Sequence, residues 1–201
     1  MSITTFAELS TAVTNWIDRT DLSSRIPEFI TLWEAEVNRR LRLRQQTAST
    51  SLTPSAGSAT LPTDYLEWKR VTWTGTPKRE LDYVTPSFLQ AFNPSAISAT
   101  PLYFTIEGET LKIAYLSTTA LDFLYAQKVP ALTASATTNW LLTAHPDVYL
   151  YGTLSRAATF TSDADNGRAW LALADQALEQ MWRLNFSQTG TLVQRTYGPT
   201  P

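Results

Sequence analysis

Few side chains in this 201-residue sequence have the types and spacing that catalysis requires. His145 is the single histidine, so no second imidazole is available for a metal site, and its place before Pro146 fits a weak cap or an exposed position at a helix start. Asp163 and Asp165 form a carboxylate pair of the kind a glycosidase needs across a cleft, but their position between two predicted helices favours a loop and helix-cap role. With no cysteine for a thiolate, we predict no catalytic, cofactor-binding or metal-binding residues.

Two further sets of residues could bind a ligand. Glu107 and Glu109 flank Gly108 in a predicted hairpin turn, where carboxylates are usually solvated. Trp68 and Trp73 could belong to a sugar-binding platform, since seven tryptophans and eight tyrosines supply many flat rings. Their odd spacing on one predicted strand places them on opposite faces, so at most one faces a given side. A carbohydrate-binding module therefore stays the weaker alternative.

The densest charge feature is an arginine cluster at the end of the second predicted helix, comprising Arg39, Arg40, Arg42 and Arg44. It can be a solvated helix end, a contact with nucleic acid, or a contact with the acidic surface of a neighbouring subunit. The net charge of −2 and the lack of a basic excess in any part of the chain argue against tight DNA binding. We therefore predict that the arginines serve subunit contacts, because guanidinium groups pair well with carboxylates across interfaces.

Helical periodicity marks both ends of the sequence. The first predicted helix covers Phe6–Ile17 and begins with a capping box formed by Thr5 and Glu8. The second begins near residues 24–27 and extends to about Leu43, with its glutamates first and its arginines last, as the helix dipole favours. The third covers residues 146–161 and the fourth residues 165–186.

The middle of the sequence changes to short alternating runs that predict strands. These runs cover residues 47–53, 59–61, 66–74, 78–84, 103–106 and 111–115, with a last strand through Leu121, Phe123 and Tyr125. A short helix after Pro86 is expected to pack Phe88, Leu89 and Phe92 inward. The predicted fold is α+β, a helical bundle from both ends of the chain with an inserted antiparallel β-domain. The predicted domains are residues 1–46, 47–138 and 139–186, followed by an arm at 187–201.

The arm has too few apolar residues to fold alone, because ordering costs roughly 1–2 kcal/mol per residue. Its potential anchors are Leu192, Val193, Arg195 and Tyr197. Residue types of this kind hold short peptides in grooves, so we predict that the arm orders on docking to a partner.

An ordered set of segments resembles the head–tail adaptor, or connector, proteins of short-tailed bacteriophages. The set consists of an N-terminal helix, IPEFI at 26–30, WEAEVNR at 33–39, ATLPTDYL at 59–66, TPLYF at 100–104, TNW at 138–140 and DVYLYG at 147–152. Together these segments cover nearly the whole chain, although none of them is specific alone.

The resemblance implies a virion protein that has no catalytic residues and forms a ring, twelve-fold in close relatives. The ring would join the portal protein to a tail or nozzle protein, with the arm reaching the portal and DNA passing through the channel without specific binding. The alternatives are another tail component such as a nozzle or tail-tube subunit, or a tail-associated cell-wall hydrolase. No membrane partner is expected, because no apolar run is long enough to span a bilayer and no signal peptide is recognisable. No cofactor is expected either. Assembly is expected in the host cytoplasm.

Overall fold

The computed structural model describes residues 2–92 and 97–187, and within them the predicted α+β class is confirmed. The helices are α1 (Phe6–Ile17), α2 (Ile26–Arg40), α3 (Pro86–Phe92), α4 (Trp140–Ala144), α5 (Pro146–Phe160) and α6 (Ala164–Ser187). The strands are β1 (Thr47–Leu52), β2 (Ser58–Thr60), β3 (Tyr65–Trp73), β4 (Arg79–Glu80), β5 (Asp82–Tyr83), β6 (Tyr103–Glu107), β7 (Thr110–Ile113) and β8 (Leu121–Gln127).

The chain forms two compact units. The β unit comprises Gln45–Lys128, and the helical unit comprises the described residues before and after it. Each unit has its own core of buried side chains. In the helical unit, Val129 and Leu132 join the core supplied by the helices, so the segment that leads into α4 is part of this unit.

Helix α1 begins as the sequence predicts. The Thr5 hydroxyl accepts the Glu8 backbone N–H at 3.3 Å, and the Glu8 carboxylate accepts the Thr5 backbone N–H at 2.9 Å. This reciprocal capping satisfies two N–H groups that the first turn of a helix leaves without partners. Leu9 and Val13, one turn apart, are fully buried and attach the helix to the core.

Helix α2 ends three residues earlier than predicted. Leu41 has an extended backbone with φ −85° and ψ 131°, so the chain leaves the helix after Arg40. Because alternate residues of an extended segment share one face, Leu41 and Leu43 both enter the core, each 2% exposed. The prediction of a helix up to Leu43 was therefore wrong, because the apolar spacing changes from helical to extended at this point.

Helix α5 is the centre of the helical unit, and α2 approaches it closely. Trp33 of α2 lies fully buried against Gly152 of α5. A Cβ atom at position 152 would overlap the indole ring atoms, so only glycine permits this approach. Helix α6 packs on α5 and contributes buried Ala174, Leu178 and Met181 to the core of the helical unit.

Helix α4 is an element that the sequence pattern did not predict. Its N-cap is Asn139, whose side-chain oxygen accepts the Leu142 N–H at 2.8 Å. Its five residues, Trp140–Ala144, are too few to show a helical period, although Leu141 and Leu142 are both fully buried.

Two four-stranded sheets form the β unit. Their strand orders are β1-β8-β3-β4 and β2-β7-β6-β5. Buried side chains from both sheets meet in one core, among them Val71, Phe104, Leu111, Leu121 and Phe123. The predicted hairpin after β6 is present, with Gly108 at φ 59° in its turn, a conformation that glycine adopts without strain.

The strand predicted at residues 78–84 is two strands that belong to different sheets. Strand β4 pairs with β3 in the first sheet, and β5 pairs with β6 in the second. Buried Leu81 marks the transition, since its N–H bonds to the Val71 carbonyl while the Asp82 N–H bonds to the Leu102 carbonyl. The β5–β6 pairing is parallel, which corrects the expectation of a purely antiparallel domain.

Candidate assembly surfaces

The predicted arginine cluster is brought together at the end of α2, where ion pairs hold two of its members. Arg39 pairs with Glu36 at 2.6 Å, and Arg40 pairs with Asp175 of α6 at 2.7 Å. The Arg39 side chain is the more exposed of the two, at 70% against 40%. Hydrogen bonding from Arg39 holds the pKa of Glu36 below its usual range.

The other two arginines contact the backbone and side chains where α2 ends. The Arg42 guanidinium donates to the Asn38 and Leu41 carbonyls at 2.7 and 2.6 Å, which satisfies acceptors that a helix C-terminus leaves without partners. The backbone N–H of Arg44 donates to the Asn185 side chain at 3.0 Å. We name Arg39, Arg40, Arg42 and Arg44, which lie at the end of α2 and in the segment directly after it, the arginine surface.

A shallow concavity lies beside the arginine surface, between the end of α2 and α6. It has a volume of about 260 Å³ and is lined by Arg40, Leu41, Asp175, Leu178, Glu179 and Trp182. The Trp182 side chain is 55% exposed. Tryptophan and arginine are the side chains most enriched at the centres of protein interfaces, so this region has the composition of a binding surface.

An exposed tryptophan dominates a second surface. Trp16, at the end of α1, is 52% exposed. Its ring contacts Trp170 edge-on at a centroid distance of 5.4 Å and Tyr151 at 6.2 Å. Tyr151 and Trp170 stack on each other at 5.9 Å with an interplanar angle of 10°. The three rings hold one another in place, so Trp16 presents a preorganised aromatic face.

Concave regions lie on both sides of Trp16. One is a groove of about 650 Å³ along α1, lined by Ser2, Ile3, Ala7, Glu8, Thr11, Ala12, Asn15, Trp16 and Leu150. The other is a pocket of about 300 Å³, lined by Trp16, Ile17, Leu154, Ala158, Thr161, Asp163, Asn166 and Trp170. We name Trp16 with these two concavities the Trp16 surface. A large exposed ring between two recesses is typical of an interface anchor.

A buried polar network fixes the segment that leads back into the helical unit. Glu34 of α2 is 6% exposed, and one of its oxygens, Oε1, accepts the Leu132 N–H at 2.8 Å and the Tyr149 hydroxyl at 3.0 Å. The Asn139 amide in turn donates to the Tyr149 hydroxyl oxygen at 2.7 Å. Burial raises the pKa of Glu34 above its ordinary value, and burial together with the Glu34 charge raises that of Tyr149.

The sequence offered one signal for this network. Glu34 falls on the apolar side of α2, directly after the core residue Trp33, and a carboxylate in that position requires buried partners. Asn38 lies one turn further on and accepts the Val129 N–H at 2.8 Å. Two α2 side chains therefore supply acceptors to the backbone of the returning segment, which is a structural role.

His145 lies half-buried between α4 and α5 and makes no side-chain capping hydrogen bond. Among residues 2–92 and 97–187, no group of histidine and acidic residues is arranged to hold a metal ion.

Three carboxylates of the predicted pairs, Asp163, Asp165 and Glu107, contact partners within the chain. Asp163 accepts the backbone N–H of Asn166 at 3.2 Å and so caps α6, whereas Asp165 pairs with Arg168 at 2.6 Å. In the β unit, Glu107 pairs with Lys112 at 2.6 Å beside the hairpin turn. The interpretation of Asp163 and Asp165 as a loop and helix-cap pair is confirmed.

The two tryptophans of β3 face the same core, contrary to their predicted parity. Trp73 is buried, and Trp68 packs on the same cluster with its ring edge-on to Phe104 at 5.2 Å. The pairing of β3 with β8 shifts register between Trp68 and Arg70, and such an irregularity reverses the alternation of side chains beyond it. These rings therefore do not form the exposed coplanar platform that a sugar-binding site requires.

The short helix α3 was also predicted incorrectly in part. Leu89 is buried, but Phe88 and Phe92 are 46% and 38% exposed. The two phenylalanine rings stack at 5.8 Å, and each contacts Tyr103 edge-on. Stacking against each other and a strand tyrosine lets both rings remain near the surface.

The four predicted portal-docking residues, Leu192, Val193, Arg195 and Tyr197, lie outside the described residues, as does the arm beyond Ser187. Within the part of the chain that the structure describes, no helix has the length and apolar character needed to cross a bilayer.

Taken together, these features define a protein whose notable surfaces suit protein–protein contact. The family model described as SU10 adaptor protein matches residues 4–199, whereas none of the curated proteins compared with the chain matches it. The chain therefore belongs to the SU10 adaptor protein family, and the resemblance to phage head–tail adaptors is confirmed. It is a structural adaptor protein of the bacteriophage virion, and its family is not an enzyme family. As an adaptor, it associates with other phage head and tail components.

Proposed function

We propose that the chain assembles as a ring of twelve copies between the portal and the tail or nozzle, with a central channel for DNA. Membership of the adaptor family over nearly the whole chain is the observation that carries this proposal. The exposed aromatic and arginine side chains of the helical unit supply surfaces for contacts between copies. A net charge of −2 is consistent with a channel that lets DNA pass without holding it.

Electron microscopy tests the ring directly. Purified chain, alone and mixed with the portal protein of the same phage, is expected to show rings with twelve-fold symmetry, with the portal required if the free chain is monomeric. Mass photometry of the same samples gives the copy number. Failure to form rings or to bind the portal under both conditions would contradict the proposed function.

Within this proposal, the C-terminal arm docks the adaptor onto the portal. A chain truncated after Gln188 is expected to keep its helicity, because the described helices end at Ser187. It is expected to bind the portal about tenfold or more weakly, since it lacks the proposed anchors Leu192, Val193, Arg195 and Tyr197. Circular dichroism and a titration against the portal measure the two quantities. Equal portal affinity of the truncated and full-length chains would place the docking contacts elsewhere.

A further inference from the structure

The Trp16 surface has the chemistry that recognises an arginine side chain. The ionisable residues that line its two concavities, Glu8 and Asp163, are both acidic. Hydrogen bonds from the Thr4 backbone and hydroxyl, and then from Thr5, hold the pKa of Glu8 below its usual value, so this carboxylate stays charged. The half-exposed Trp16 lines both concavities. A guanidinium stacks on an indole face and pairs with carboxylates, which a compact ammonium does less well.

The arginine surface lies on a different part of the same helical unit. Trp170 borders the Trp16 surface, and Trp182 borders the concavity beside Arg40. These two residues are twelve positions apart on α6, which corresponds to about 18 Å along the helix and about 120° around it. The two surfaces therefore do not overlap, so one copy can use both at once with two different neighbours.

Arg39 is the member of the arginine surface best placed to meet another molecule. Its side chain is 70% exposed, and its ion pair with Glu36 is formed within one helix turn. An ion pair between two side chains of one helix turn is weak, and the Arg39 guanidinium has further N–H donors for a second acceptor.

We propose that the Trp16 surface of one copy receives the arginine surface of the next, with Arg39 over the Trp16 ring. This contact rests on the proposed ring, and its two sides are the Trp16 surface of one copy and the arginine surface of the next. Because the faces differ, the contact is head-to-tail, and repetition of one such contact closes a ring when the rotation allows it. The occupant is therefore a second copy of this chain, selected by complementary charge and by the aromatic face.

A charge exchange across the proposed contact tests it. Arg39→Glu is expected to raise the concentration needed for assembly about tenfold, because it replaces the guanidinium over Trp16 with a carboxylate that faces an acidic surface. Asn15 is an exposed groove residue that makes no capping contact. The variant Asn15→Lys should weaken assembly when Arg39 is unchanged, and should restore assembly when it is combined with Arg39→Glu. Arg79→Glu, the same charge change on exposed β4, is the matched control. An unchanged midpoint for Arg39→Glu, or no rescue by Asn15→Lys, contradicts the contact.

Cross-linking then separates this inference from the proposed function. The chain has no cysteine, so Asn15→Cys and Ala35→Cys introduce single thiols on the groove and on the exposed side of α2 one turn before Arg39. With a short thiol cross-linker, the double variant assembled on the portal is expected to give a ladder of multimers, whereas each single variant gives dimers at most. Rings without a ladder overturn the contact and leave the proposed function intact. Absence of rings in the wild-type chain overturns both.

Discussion

Gly152→Ala is expected to destabilise the helical unit by about 3 kcal/mol or more. The added Cβ would overlap the ring of Trp33, which is fully buried and has no space to withdraw into. Overpacking of this kind forces the backbones of α2 and α5 apart and costs about 1–3 kcal/mol, with larger values where backbone must move. Denaturant unfolding followed by circular dichroism at 222 nm measures the loss.

Gly167→Ala is the matched control for this prediction. Gly167 is buried on α6, but a Cβ there would meet its nearest neighbour, Ala158 Cβ, at an ordinary 3.6 Å. Alanine favours a helix by about 0.8–1.0 kcal/mol over glycine, so this variant should be neutral or more stable. If Gly152→Ala proves as harmless as Gly167→Ala, the close approach of Trp33 to α5 does not limit the packing.

Glu34→Ala is expected to cost about 2–5 kcal/mol. The change removes the acceptor for both the Leu132 N–H and the Tyr149 hydroxyl, and leaves these donors buried. Each buried donor without a partner costs about 1–3 kcal/mol. Denaturant unfolding measures the loss, and hydrogen exchange at the Leu132 amide should accelerate. An exchange rate unchanged from the wild type would show that Glu34 does not hold the returning segment.

Glu34→Gln separates the hydrogen bonds from the charge. Both bonds fall on Oε1, so the glutamine carbonyl can keep them. The folded-state pKa of Glu34 is raised above its ordinary 4.5, so protonation favours the folded state and the wild type loses stability as pH rises through the raised value. The stability of Glu34→Gln relative to the wild type should therefore increase from about pH 4.5 upward and then level off. A constant difference across pH 4–8 would contradict a raised pKa.

Local patterns in the sequence predicted the elements whose signals are local. Thr5 and Glu8 identify the start of α1 because capping depends on residues three apart. The apolar period of α6 identifies its buried face for the same reason. The early end of α2 and the division of one predicted strand at Leu81 depend on tertiary contacts, which no local pattern contains. The reversed parity of Trp68 and Trp73 likewise depends on a register shift against β8.

The candidate surfaces were predictable only where charge is dense in the sequence. Four arginines within six residues identify the arginine surface from the sequence alone. The Trp16 surface combines α1, α5 and the start of α6, and Trp16 appears in the sequence as one more member of an apolar helix face. Only the fold reveals that this ring projects beyond the core, because burial depends on which neighbours cover it.

The pairing of β1 with β8 makes the β unit a replaceable insertion. Thr47 lies opposite Ala126, so the chain enters and leaves this unit on adjacent strands. A different domain inserted at that point needs only short linkers, and closing a short linker costs little conformational entropy. A unit joined in this way can be exchanged for another while the helices keep their own core.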